Sequence, residues 1–164
     1  MDLLDRLLGH DAWTTRRVLE RCREVDPAAL HRRFDLGHGT AYATIVHMIG
    51  NVRVWTDLMN GVTIEPGRNA WDGLSVDELI ARHDASQVDF AALARRIRDA
   101  GRWDERWVDT LDDPPAEKTY GGAVAHVITH DMHHRGEVLH ILARLGVPDL
   151  LEGDALSWEA TARG

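Results

Sequence analysis

The chain has 164 residues, 44% hydrophobic and 28% charged, with Lys+Arg 19 against Asp+Glu 27, a formal net charge of -8 and a mean hydropathy of -0.32. At roughly 150 residues per domain this is a single domain spanning 1–164, long enough to bury a core without disulfide support. The acidic balance and scattered basic residues exclude nucleic-acid backbones and anionic lipid as partners, and the lone cysteine, Cys22, excludes an internal disulfide or a Cys-rich metal framework.

No window approaches the roughly 18 consecutive apolar residues of a bilayer span. The opening MDLLDRLLGHDAW carries acids among its leucines, with neither a basic leader nor a small-residue cleavage site, so the expected compartment is the cytoplasm.

Leu3, Leu4, Leu7, Leu8, Val18 and Leu19 recur at helical spacing and predict a first long helix ending near Arg23. Asp26-Pro27 follows as a cap and first-turn pair opening a short second piece. Gly37-His38-Gly39 breaks the chain, and a second long helix runs from about Thr40 to Asn60, closed by Gly61. Its apolar residues cover most of the circumference, which places it inside. Pro66-Gly67 marks a loop. Ser75 with Glu78 three residues on forms a capping box for a third, strongly charged helix reaching about Ala100, with Gly101 beyond. Residues 101–120, with Trp103, Trp107 and Pro114-Pro115, show no clean period and are expected to be an irregular connection. A fourth helix runs from after Gly121-Gly122 to about Leu145, stops at Gly146, and leaves a short tail from about 147. No strand-like alternation is long enough to build a sheet. The expected fold is all-α, a four-helix bundle, whose sites are built by side chains projecting inward from facing helices.

Ten histidines are present, five of them from His126 to His140. With His126 at zero on a helical wheel, Ile141, Val127 and Val138 fall at about 60°, 100° and 120° and define the inward arc. His134 at about 80° and His130 at about 40° point into or beside it, one turn apart, at the spacing that lets two imidazoles grip one ion. His126, His133 and His140 drift toward the rim and read as solvated side chains, with His126 placed to substitute for one of the pair or to shuttle protons. In the second helix His47 shares a stripe with Val54 and Leu58, and no other histidine lies there. An unpartnered histidine is costly in a core. A His-x-x-x-His pair plus one facing histidine leaves coordination positions open for water or substrate, as catalytic metal sites do. Such an ion activates bound water or thiol at neutral pH. The alternative is that these histidines hold no metal and satisfy one another.

The segment HVITHDMHHRGEVLHILARLGVP resembles the fourth-helix signature of the DinB/YfiT-like superfamily, with His-His-Arg-Gly ahead of a leucine-rich turn and Gly-Val-Pro. TIVHMIGNVRVW is similar to its other signature, one histidine eight residues before a tryptophan, here His47 and Trp55, and LLGHDAWTTRRVLERC matches its opening helix at Trp13. The resemblance spans residues 3–150. It implies an up-down-down-up bundle, a homodimer, and a divalent metal, Zn2+ or Ni2+, on His47, His130 and His134. It also implies a metal-dependent enzyme acting through a low-molecular-weight thiol on a small electrophile, as a thiol S-transferase, or as a hydrolase. Glu137 stands where the pattern has glutamine. It reads as an acceptor orienting a ligand imidazole, as a catalytic general base, or as a solvent-facing glutamate.

Asn51, one turn beyond His47, is placed to line the pocket or bond a ligand, and Arg135 to pair with an acid between helices. Cys22 reads as a small core residue. A second reading is a metal-binding, stress-responsive bundle without turnover, dimerising through Met132, Gly136, Leu139 and Ala143 on the far side of the fourth helix. No phosphate-binding glycine loop or nucleophile elbow is present.

Overall fold

The structure, a computed structural model, describes residues 1–64, 71 and 73–163. The expected Pro66-Gly67 loop lies outside the described residues. Helix α1 (Leu3–Cys22) starts where Asp2 accepts from the Asp5 N–H and ends against Arg23. The short α2 (Pro27–Leu30) opens on Asp26 with Pro27 in its first turn, where the missing N–H costs nothing. Helix α3 (Ala41–Met59) is capped by Thr40, and α4 (Val76–Asp99) by the Ser75/Glu78 capping box. Helix α5 (Tyr120–Arg144) begins slightly before Gly121-Gly122, because the Thr119 side chain accepts from the Gly122 N–H.

Two elements depart from expectation. Residues 101–120 hold an antiparallel hairpin, β1 (Arg106–Asp109) on β2 (Ala116–Thr119), with Arg106 opposite Thr119 and Asp109 opposite Ala116. In β1 Trp107 and Asp109 face inward while Arg106 and Val108 face out, an alternation of four residues and too short to stand out. The tail contains α6 (Ala155–Arg163), held to α1 by Arg6–Glu159 at 3.0 Å and by His10 Nε2 with the Gly153 carbonyl at 2.8 Å. Its Trp158 ring fills the space above Gly9, where a Cβ would collide with it. A glycine inside a helix costs about 1 kcal/mol against alanine, and the buried indole is what this one makes room for.

Cross-helix contacts fix the connectivity. Arg95 Nε donates to Asp5 at 2.8 Å and Arg98 Nη1 to Asp2 at 2.8 Å, while Arg23 pairs with Asp77 and Arg16 with Asp84, so α4 runs antiparallel to α1. Tyr42 donates to the Leu74 carbonyl near the start of α4 and Arg96 reaches Asn60 near the end of α3, so α3 and α4 are parallel. Arg135 meets Asp11 and Arg21 meets the Pro148 carbonyl, which makes α5 parallel to α1. The order is up-down-down-up, with α1 packed on α4 and α5, and α3 on the same two. This is the all-α four-helix bundle expected.

The core is divided. One apolar cluster holds Val18, Leu19, Ile45, Ile49, Leu79, Val138 and Leu142, the other Leu8, Val52, Leu58, Phe90, Ile97 and Val127. Between them each helix contributes polar groups: Asp11, Thr14 and Thr15 from α1, His47 and Asn51 from α3, His83 and Gln87 from α4, and His130, Asp131, His134 and Arg135 from α5. Buried polar atoms are tolerated when bonded. Arg135 Nη1 donates to Asp11 Oδ1 at 2.7 Å and Thr15 Oγ1 at 2.9 Å, Gln87 Nε2 donates to Asp11 Oδ2 at 3.1 Å, and His83 Nε2 meets the Ala12 carbonyl at 3.1 Å. Arg135 thus joins α5 to α1 as its sequence position suggested. Asp131 lies beside this pair, and burial first, then the Asp11 carboxylate, push its carboxyl well above the ordinary range. Cys22 is a fully buried core residue whose thiol burial pushes up to about 12.

Candidate metal centre

The three histidines selected by spacing come together in this polar layer. His47 Nε2 and His130 Nε2 are 3.0 Å apart, and His130 Nε2 and His134 Nε2 are 3.2 Å apart. His130 and His134 are one turn apart on α5, and His47 faces them because α3 packs antiparallel on α5. Burial first, then the neighbouring imidazoles, push His47 down to about 4 and His130 down to about 3. Both are neutral imidazoles near pH 7, the form that offers a lone pair to a metal.

Hydrogen bonds orient two of the rings. His134 Nδ1 donates to Glu137 Oε2 at 2.6 Å, which leaves its Nε2 as the lone-pair nitrogen facing the cluster. The ligand imidazole that Glu137 orients is therefore that of His134. Its other oxygen lies 3.3 Å from Nε2 of His133, whose side chain is 69% exposed. His130 is held by an amide. Trp55 Nε1 donates to Asn51 Oδ1 at 3.0 Å, and an indole N–H can only donate, so Asn51 turns its Nδ2 toward His130 Nδ1 at 3.1 Å. In that arrangement His130 carries its proton on Nε2, directed at His47 and His134.

His126 is exposed and tilted against Trp55, with ring centroids 4.8 Å apart, and lies 5.4 Å from His130; His140 is exposed as well. Trp55 also meets Trp107 of the hairpin edge-on at 5.9 Å and lies under Lys118 at 5.1 Å, so the 101–120 segment walls the cluster through this indole. A recess of about 290 Å³ opens beside His47, lined by Val46, Gly50, Asn51 and Val54. A fourth histidine is present that helical periodicity does not find. His38, on the loop before α3, stacks on His47 with centroids 3.9 Å apart and lies 5.2 Å from His134. The only sequence signal was its position between two glycines.

The donor set suits a divalent ion of nitrogen preference. Ligand nitrogens about 2.0–2.1 Å from zinc stand about 3.3 Å apart across a tetrahedral edge, close to the His47–His130 and His130–His134 separations. His47 and His134 fit as they stand. His130 fits once its proton moves to Nδ1, which requires the Asn51 amide to turn and the Trp55 N–H to give up its bond to Asn51 Oδ1.

An up-down-down-up bundle with an imidazole cluster in a polar layer at mid-height defines a class of helical proteins that build their sites from inward side chains. Residues 10–138 match the DinB superfamily. The chain belongs to that superfamily. No curated protein matches it. Among the described residues no helix is long and apolar enough to cross a membrane.

Proposed function

We propose that this protein is a metal-dependent enzyme of the DinB superfamily in which His47, His130 and His134 hold a divalent ion, zinc or nickel. The observation that carries this is the convergence of three Nε2 atoms from two helices at 3.0 and 3.2 Å, with Glu137 bonded behind one of them. Bound there, the ion supplies Lewis acidity that renders a thiol or water nucleophilic at neutral pH.

The chain's own residues do the remainder. Burial keeps His47 and His130 unprotonated. Glu137 fixes the His134 tautomer, and Asn51, held by Trp55, bonds the His130 ring before any ion enters. The recess beside His47 admits a small molecule, which favours an open catalytic site over a closed structural one. Its reactants in this reading are a small electrophile and a low-molecular-weight thiol or water. A second copy would pack on the outer side of α5, where Met132 is 56% exposed and Gly136 and Ala143 are exposed.

The test is metal content by plasma mass spectrometry on untagged protein, wild type beside His47→Ala and His134→Ala, after dialysis against a weak chelator. Near-stoichiometric zinc or nickel in the wild type, lost in both variants, supports the reading. Wild-type protein that takes up no metal even on reconstitution overturns it.

A further inference from the structure

We propose that His38 is a further ligand of the same centre, a loop-borne imidazole that occupies a coordination position in the resting protein and yields it to the incoming substrate. This rests on reading the histidine cluster as a metal centre.

The placement is geometric. One ligand nitrogen from each of His38, His47 and His134 lies within 4.8 Å of the other two. Two of the helix-borne rings have a fixing partner outside the cluster, Glu137 for His134 and Asn51 for His130, and His47 bonds His130, whereas the His38 ring makes no hydrogen bond among the described residues. An imidazole set against the neutral ring of His47, with its nitrogens unengaged, is a lone-pair donor without an acceptor of its own. While Asn51 keeps the His130 proton on Nε2, the lone pairs available without any rearrangement are those of His47, His134 and His38.

The backbone that carries His38 is built to put it there. Phe34 N–H donates to the Gly39 carbonyl at 2.8 Å, Gly39 N–H to the Leu36 carbonyl at 3.0 Å, and His38 N–H to Thr44 Oγ1 at 3.3 Å. Gly37 sits at φ +54°, and a Cβ there would stand 2.7 Å from Glu137 Oε2 and 3.1 Å from Thr44 Oγ1. Only glycine allows both the left-handed turn and the close approach. The loop is therefore seated on the carboxylate that orients His134, so the two histidines share one support. The His38 side chain is exposed. It can swing away without uncovering the core, which the helix-borne ligands cannot do. A bonded backbone with a free side chain is the construction a replaceable ligand requires, and it reconciles a four-imidazole resting site with the open position catalysis needs.

The test counts ligands. In cobalt(II)-loaded protein each bound imidazole that keeps a ring N–H gives one strongly shifted, exchangeable proton signal in water. His38→Ala and His38→Gln should each show one signal fewer than wild type and bind zinc about ten-fold or more weakly in competition with a chromogenic chelator. Thermal unfolding of the metal-free variants should match wild type, since the side chain is exposed. A correctly folded variant that no longer holds cobalt also counts for ligation. Equal signal numbers, with zinc affinity within about two-fold of wild type, overturn the proposal and leave the three-histidine centre standing. A wild-type protein that binds neither cobalt nor zinc overturns the centre, and the His38 proposal with it.

Discussion

The hydrogen bond between Glu137 and His134 is open to a graded perturbation. It is 2.6 Å long and joins side chains only 15% and 13% exposed, so water screens it little. A hydrogen bond to a charged group is worth about 1.5–3 kcal/mol and a neutral one about 0.5–1.5 kcal/mol. Glu137→Gln keeps the shape and an acceptor oxygen but loses the charge, a difference of about 1 kcal/mol, or about five-fold weaker zinc binding. Glu137→Ala removes the acceptor and frees the imidazole to rotate, and losses of this kind cost about 10–100-fold. His133→Ala should change little, because that side chain is largely in solvent. Zinc affinity is read by competition with a chromogenic chelator at pH 7.5, with unfolding of the metal-free protein as the control. The ordering wild type, Gln, Ala is the expected result. Zinc binding by Glu137→Ala within about two-fold of wild type would refute the positioning role and make Glu137 a bystander.

Arg135→Met should destabilise the bundle by about 3–5 kcal/mol, because it strands the Asp11 carboxylate where Asp11 and Arg135 side chains are 1% and 4% exposed. For a chain of this size that is a fall of roughly 6–20 °C in Tm, and a loss below about 1 kcal/mol by urea titration would show that the pair contributes little. Acid should also loosen the metal-free protein. His47 at about 4 and His130 at about 3 refuse protons that the unfolded chain takes up near 6.5, so their contribution is complete above pH 6.5 and is lost progressively as pH falls from there to their folded values. Asp131 works in the opposite sense, binding a proton the unfolded chain releases. The histidine contribution is therefore isolated by comparison with His47→Leu. Between pH 7 and 5 wild type should lose about 1–2 kcal/mol more than the variant, in chelator, after allowance for partial solvent exposure; parallel pH profiles would contradict the burial argument.

What could be read from residues alone follows the range over which each signal acts. Helix ends are local, and Ser75/Glu78, Asp26-Pro27 and the glycines at 61, 101 and 146 mark them where the structure has them. The inward arc of one amphipathic helix is also local, so His130 and His134 fell on it, and His47 followed from being the lone histidine of an apolar helix. The missed parts depend on distant partners. The hairpin strands are four residues each, below the length at which alternation separates from chance. Helix α6 docks through Trp158 on a glycine about 150 residues earlier, which no periodicity of its own reveals. His38 reaches the cluster only because Gly37 lets its loop rest on Glu137, a contact 100 residues apart in sequence.

The ion pairs along α1 and α4 also act as a code for chain direction. Both helices carry acids toward their N-termini, Asp2 and Asp5 in one and Asp77 and Asp84 in the other, and arginines toward their C-termini, Arg16 and Arg23, and Arg95 and Arg98. Each charge order favours its own helix dipole. Laid side by side in the same direction, the two helices would set acid against acid at one end and arginine against arginine at the other. Laid in opposite directions, they form the five cross-links seen among the described residues. Individually such exposed pairs add little stability, yet together they penalise the reversed alignment. A hairpin-style return after α3 would run α4 alongside α1 the wrong way round, whereas α4 starts at the end of the bundle where α3 also starts, as the Tyr42 bond to the Leu74 carbonyl records. The parallel run of α3 and α4 is thus matched by the charge order on the face that α4 turns to α1.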